Sequence, residues 1–114
     1  MGYRIEYALE SRAMVVRVSG CTHTHAKTIA REIQREARRA AIKHLVIDVR
    51  GLVDRFGNLG ALVLGTCRNR RVAVIDDDKD KELYHPFSED AARLVNAELR
   101  YFADPGAALA WLGG

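Results

Sequence analysis

Residues 45–49 (LVIDV) constrain the fold of this chain more than any other segment of its sequence. The segment does not alternate cleanly between polar and apolar residues, which favours a strand buried on both faces of a parallel sheet. Gly51 is expected to end this strand. Because parallel strands are joined by long crossover connections, usually helices, the segment predicts an α/β fold.

The residues before this strand predict a hairpin followed by a helix. Residues 3–9 alternate between polar and apolar, and residues 14–18 form a second strand after a short polar break, so the two should pair antiparallel. Apolar residues spaced by four then predict an amphipathic helix from near Thr24 to near Ala41. Either Thr22 or Thr24 is expected to be its N-cap.

The second half of the chain repeats the alternation of helix and strand. Residues 58–67 predict a helix in which glycines allow close packing, and residues 71–75 (RVAVI) predict the next strand. After a charged loop, Ser88 is expected to cap a third helix. The apolar residues assigned to that helix are Ala91, Leu94 and Val95.

A strand and a short helix are predicted to close the chain. Residues 99–103 form the last strand, and Asp104 followed by Pro105 is typical of an N-cap and a first helical position. This last helix is expected to bury Leu109, Trp111 or Leu112.

The element order is β-β-α-β-α-β-α-β-α. It predicts a single mixed, mostly parallel five-stranded sheet with about four helices, in which only the first strand runs antiparallel. The length of 114 residues suits one domain, residues 1–114. An uncovered edge at the first or last strand would also allow a homodimer by strand pairing.

Composition excludes several classes of protein. A net charge of +3 is too small to indicate nucleic-acid binding by itself. Cys21 and Cys67 are too few for a disulfide scaffold, and the first residues contain no apolar run of the signal-peptide kind. The longest uncharged stretch, residues 56–67, is too short to span a bilayer, so membrane contact is not indicated. We therefore expect a cytoplasmic protein with reduced thiols.

Five segments, taken in order and spacing, resemble the bacterial SpoIIAA-like (STAS/Sec14-type) domains. They are residues 45–52 (LVIDVRGL), 57–62 (GNLGAL), 71–76 (RVAVID), 99–105 (LRYFADP) and 107–112 (AALAWL). The resemblance covers nearly the whole chain. It implies a single-sheet α/β domain without a cofactor motif, which acts as a regulatory binding module and not as an enzyme.

The resemblance does not bring the family's phosphorylation switch with it. In the anti-sigma-factor antagonists of the family, a serine in a pattern like DSSGLG opens the helix after the third strand and is phosphorylated when a partner kinase is bound. The matching segment here, residues 54–60, reads DRFGNLG and contains no serine or threonine. Sec14-type relatives hold apolar ligands, which keeps a small apolar ligand among the expectations.

The loops beyond the carboxyl ends of the parallel strands are the expected site, since ligands of open α/β sheets bind there. In residues 50–58, glycines allow close backbone approach, the next helix offers N–H groups, and two arginines suit a carboxylate or phosphate. The segment lacks the ending of a P-loop. The predicted binding residues are Arg50, Arg55, Phe56, Gly57, Asn58 and Tyr84. They predict a protein partner or a small apolar or anionic ligand, without metal or cofactor.

An alternative hypothesis is a small metal- or thiol-dependent enzyme. It would use Cys21, His23 and His25 together with the acidic loop from Asp76 to Asp80. The simpler interpretation is a capped helix with exposed histidines, a packed cysteine and a solvated acidic loop, and we favour it because motifs this short are common by chance.

The predicted first helix carries a basic stripe. Its members are Lys27, Arg31, Arg35, Arg38, Arg39 and Lys43, with Glu32 and Glu36 between them. Pairs of opposite charge three residues apart are typical of a solvated helix face, and no aromatic residue accompanies the stripe. We therefore predict no nucleic-acid partner.

Overall fold

The architecture, taken from a computed structural model, is one mixed sheet with helices on both faces. The structure describes residues 2–10, 12–21, 24–53, 59–77 and 90–113, and only the backbone of residues 59–61. The five strands are β1 Tyr3–Glu10, β2 Ala13–Gly20, β3 His44–Leu52, β4 Arg71–Ile75 and β5 Glu98–Phe102. The helices are α1 Ala26–Arg39, α2 Leu59–Cys67, α3, described over residues 90–93, and α4 Pro105–Gly113.

The strands lie side by side in chain order, β1-β2-β3-β4-β5. β1 pairs antiparallel with β2, and the other three pairings are parallel, which confirms the predicted fold class. Each parallel crossover steps one strand in the same direction. Because such crossovers are right-handed, α1, α2 and α3 lie on the same face of the sheet.

The larger core lies between the sheet and the first three helices. Ile29 and Ile33 of α1, Leu62 and Val63 of α2, and Ala92 of α3 are buried there. The strands contribute every second residue to this core, including Val16, Leu45, Ile47, Val74 and Leu99.

The smaller core lies under α4 on the opposite face. Ala108 and Leu112 pack there on Val46, Ala73 and Ile75. Neighbouring residues of β3 are therefore buried in different cores, which explains why its sequence does not alternate.

The start of α1 differs from the prediction. The helix begins at Ala26 with His25 as its N-cap residue, and no side chain forms a capping hydrogen bond there. Thr24 is therefore not the cap, while Thr22 lies outside the described residues. The helix ends at Arg39 because Ala41 takes a left-handed conformation (φ 55°) that α-helix cannot continue through.

The end of β3 also differs, because Gly51 lies inside the strand. It pairs with Ser19 of β2 beside an irregularity in the register, and the strand runs on to Leu52. A Cβ atom at Gly51 would lie 2.8 Å from the Cβ of Ser19, so glycine is needed for the two strands to approach.

One prediction about the last helices needs correction. Leu94 is 88% exposed, because the helix of residues 90–93 gives way to a turn that ends at Asn96 (φ 58°). In α4, Leu112 is buried, which confirms the prediction, while Leu109 and Trp111 are half-buried against the same core. No helix in the described ranges is long and apolar enough to cross a membrane.

Candidate functional site at the carboxyl edge of the sheet

An ion pair lies near the carboxyl end of β3. Asp48 and Arg50 are two residues apart in an extended strand, so both side chains lie on the face that α4 covers. The guanidinium donates Nε–H to Oδ1 at 3.0 Å and Nη2–H to Oδ2 at 2.8 Å, and the Arg50 backbone N–H donates to Oδ1 at 3.1 Å. Asp48 is only 6% exposed. Its carboxylate can be buried because the bidentate hydrogen bonds from Arg50 satisfy both oxygens.

A row of charged positions continues from this pair towards β1. Arg17 is the register partner of Asp48 on β2, and its Nε lies 3.9 Å from Oδ2. Glu6 on β1 is in turn the register partner of Arg17. The charged positions therefore form a row across β3, β2 and β1.

The arginines keep Asp48 ionised. Burial alone would raise the pKa of Asp48, but the hydrogen bonds and charge of Arg50, with the charge of Arg17, outweigh it and lower that pKa. The hydrogen bonds to Asp48 likewise raise the pKa of Arg50. The pair is therefore charged at neutral pH.

Arg50 also interacts with the ends of the next two strands. The charges of Asp77, which follows β4, and Asp104, which follows β5, favour its ionised form. Oδ2 of Asp104 accepts the backbone N–H of Ala107 at 3.1 Å, which confirms Asp104 as the cap of α4. The positive charge of Arg50 is therefore stabilised by carboxylates at the ends of three neighbouring strands: Asp48 in β3, Asp77 after β4 and Asp104 after β5.

Asp76, the first residue of the acidic segment after β4, is buried. Asp76 is 5% exposed, and its backbone N–H donates to the carbonyl of Phe102 at 2.9 Å. The expectation of a surface loop is wrong for Asp76, because the bonding between β4 and β5 continues one residue past the strand. Asp77 is exposed as expected, and residues 78–80 lie outside the described part of the chain.

The described hollow at this site is small. It has a volume of about 40 Å³ between α4 and the first four strands, and Asp48, Arg50 and Leu109 are among the residues that line it. Pockets for drug-sized ligands have roughly 300–1,000 Å³. This hollow therefore has room for little more than a water molecule.

Of the predicted binding residues, the structure places only Arg50. Arg55, Phe56, Gly57, Asn58 and Tyr84 lie outside the described residues, so their role stays a prediction. The sequence analysis missed Asp48, the partner of Arg50. The signal was available, since an aspartate inside an apolar strand with an arginine two residues later must share a face with that arginine.

Two residues of the alternative hypothesis, Cys21 and His25, contact the first described residues of the chain. Cys21 is half-buried, and its backbone N–H donates to the carbonyl of Gly2 at 3.0 Å. The ring of His25 lies 5.3 Å from that of Tyr3. Cys67 is in the core, as predicted, where burial raises the pKa of its thiol. Among described residues no group of three His, Cys, Asp or Glu side chains could hold a metal; His23 is outside them.

The basic stripe of α1 is solvent-facing, as predicted. Lys27, Arg31, Arg35, Arg38 and Arg39 are all exposed. Nη1 of Arg39 lies 3.3 Å from Oε1 of Glu36, one turn earlier, which confirms one of the two expected pairs.

Comparison with known proteins identifies the fold. No protein-family model and no curated protein matches the sequence. Among solved structures, the chain is similar to the anti-sigma factor antagonist SpoIIAA in its unphosphorylated form: identity is 16%, 99% of each chain is covered, and the TM-score is 0.66. An anti-sigma factor antagonist from Mycobacterium paratuberculosis is 13% identical over 99% of this chain and 96% of that chain, with a TM-score of 0.64. The chain therefore has the SpoIIAA-like STAS fold, which confirms the predicted resemblance.

Proposed function

We propose that this domain is a non-catalytic regulatory module that binds a protein partner, an anti-sigma factor, through the carboxyl edge of its sheet. The observation that carries the proposal is the fold, which matches two anti-sigma factor antagonists over nearly their full lengths. Fold alone does not determine function, so the chemistry of this edge has to support the same conclusion.

The described part of the carboxyl edge favours a protein surface over a small ligand. The hollow of about 40 Å³ there has room for little more than a water molecule. Val53, directly after β3, is 73% exposed, and its backbone N–H is fixed by a 3.0 Å bond to the carbonyl of Gly20. An exposed apolar side chain on a fixed backbone, beside charged groups, is typical of a protein interface.

Arg50 anchors the segment that follows it. Its guanidinium is held by Asp48, so the chain leaves β3 from a fixed position just before Arg55 and Phe56. Arginine and aromatic side chains carry much of the binding energy in protein interfaces. Because residues 54–60 contain no hydroxyl group, binding would not be switched by phosphorylation within this segment.

Calorimetric titration with purified anti-sigma factors encoded in the same genome tests this proposal. At least one should bind the wild-type domain, and Arg55→Glu should weaken it about tenfold or more, since a central interface arginine contributes that much. Arg31→Glu is the matched control: it makes the same charge change on the exposed face of α1 and should leave the affinity within about threefold. Absence of binding to every anti-sigma factor, or equal losses in both variants, would overturn the proposal.

A further inference from the structure

A basic groove lies at the amino edge of the sheet, opposite to the proposed partner site. There the first residues of β3, β4 and β5 meet the carboxyl-terminal ends of the first three helices. Two adjoining hollows, of about 440 Å³ and 330 Å³, share Lys43, Asn69 and Arg70 in their walls. The surface formed by these two hollows is called the amino-edge groove below.

Positive charge is concentrated in this groove. Its walls contain the cationic side chains of Arg38, Lys43, Arg68, Arg70, Arg71 and Arg93. Glu98 is the one carboxylate among the lining residues, whereas the whole chain has a net charge of only +3. The rest of the molecule is therefore net acidic, and the groove is a distinct electrostatic feature.

The smaller hollow contains cations without an acidic lining residue. Glu98 lies in the larger one, where it is 3.7 Å from Arg71. In the smaller hollow, Nη1 of Arg70 donates to the carbonyl of Thr66 at 3.0 Å. Burial, together with the charge of Arg38, lowers the pKa of Arg70. Arg38 and Arg70 therefore repel each other, and an anion bound in the hollow would reduce this repulsion.

Basic residues at the carboxyl-terminal end of a helix often stabilise the helix dipole, but this role does not account for all the cations of the groove. Arg38 lies in the last turn of α1, where it complements the helix dipole. Lys43, Arg68 and Arg70 lie beyond the helix ends, and two separate segments, residues 34–43 and 68–70, bring them to the same hollow. Such convergence on a concave surface points to a ligand.

An acidic polypeptide fits the groove better than a nucleic acid. Its lining contains no Phe, Tyr or Trp, the side chains on which single-stranded nucleic acids mainly stack their bases, and His44 is the one ring among the lining residues. The surface is concave, so it has no helix that could enter the major groove of a duplex. Arginine forks match carboxylates, and Leu94, next to Arg93 in the chain and 88% exposed, offers an apolar contact to a peptide.

We propose that the amino-edge groove binds an acidic segment of a protein partner. This surface is separate from the carboxyl edge, so the domain would contact two protein surfaces at once, one at each end of its parallel strands. The proposal does not depend on the anti-sigma factor assignment, because the groove and the carboxyl edge share no described residue.

Fluorescence anisotropy with a labelled peptide of alternating glutamate and serine tests the groove. About ten residues suffice, since an extended chain of that length spans roughly 33 Å, similar to the domain's longest extent of 34 Å. The wild-type domain should bind with a Kd on the order of tens of micromolar at low salt, and binding should weaken as salt is added. A wild-type domain that leaves the anisotropy unchanged overturns the proposal.

The site is tested by two charge-reversed variants. Arg38→Glu/Lys43→Glu/Arg68→Glu changes three exposed groove residues and should weaken the peptide at least about tenfold. Lys27→Glu/Arg31→Glu/Arg35→Glu makes the same charge change on the exposed face of α1 and should cost less than about threefold, with both variants checked for an unchanged melting temperature. Equal losses of peptide affinity in the two variants would mean that the peptide is attracted by net charge alone, which would overturn the proposal. A single-stranded oligonucleotide of equal charge that binds the groove more tightly than the peptide would assign it to nucleic acid instead.

Discussion

Asp48 shows how one residue can serve both the fold and the site. It lies in the central strand of the sheet, where Arg50 satisfies both of its carboxylate oxygens. The sequence predicted Arg50 as a binding residue but not its partner, because the hydrophobic pattern places Asp48 in the strand without showing what pairs with its charge. Asp76 was assigned to a solvated loop because nothing in the local sequence shows that its backbone N–H bonds to Phe102, a residue distant in the chain.

Asp48→Asn should lower the free energy of unfolding by about 2 kcal/mol at neutral pH, because the charge-assisted bonds to Arg50 are lost. Urea denaturation followed by circular dichroism measures this. Glu98→Gln is the control, since its pair with Arg71 has a 71% exposed carboxylate and should contribute less than about 0.5 kcal/mol.

The same pair should make stability depend on acid pH. The pKa of Asp48 is lower in the folded state than its ordinary value, so the unfolded chain takes up the proton first as pH falls. The contribution is complete above the unfolded pKa and is lost as pH falls through the folded one. The difference in the free energy of unfolding between wild type and Asp48→Asn should therefore be constant at neutral pH and shrink as pH falls through and below 3.8, the ordinary pKa of this carboxyl. A difference that stays constant would contradict the assignment.

At the scale of elements, close contact between α1 and α2 fixes the helical layer. A Cβ atom at Gly65 would lie 2.8 Å from the Cβ of Ala30, and the side chain of Gln34 donates to the Gly65 carbonyl. The sequence predicted the close packing from the glycines of α2. It predicted the start of α4 at Asp104 and Pro105 but not the start of α1 at Ala26 or the end of α3. The left-handed residues after α1 and α3, Ala41 and Asn96, are not glycines that would mark a helix end.

Gly65→Ala should destabilise the domain by about 1–2 kcal/mol, because overpacking exceeds the gain in helix propensity of up to about 1 kcal/mol. Thermal and urea unfolding measure the change. Gly113→Ala in α4 is the matched control and should be neutral or stabilising, since nothing lies within 4 Å of the added Cβ. Adding Ala30→Gly to Gly65→Ala should recover part of the loss. A Gly65→Ala variant as stable as wild type would contradict this prediction, because α1 and α2 would then move apart without loss of stability.

At the scale of the whole molecule, the parallel sheet has two chemically different edges. The amino edge gathers cations in a groove, while Asp48, Asp77 and Asp104 surround Arg50 towards the carboxyl edge. The sequence predicted the sheet and the direction of each strand from hydrophobic pattern and element order, and the SpoIIAA-like fold from the resemblance of five segments to that family. It did not predict the amino-edge groove, because its cations come from segments far apart in the chain.

The most direct test of the proposed function is hydrogen–deuterium exchange of the domain with and without a bound anti-sigma factor. Amides that become buried in an interface exchange more slowly. We predict slower exchange in peptides that cover residues 50–58 and 76–90, whether or not the amino-edge groove is also protected. Binding that leaves both of these segments unprotected would contradict a partner site at the carboxyl edge.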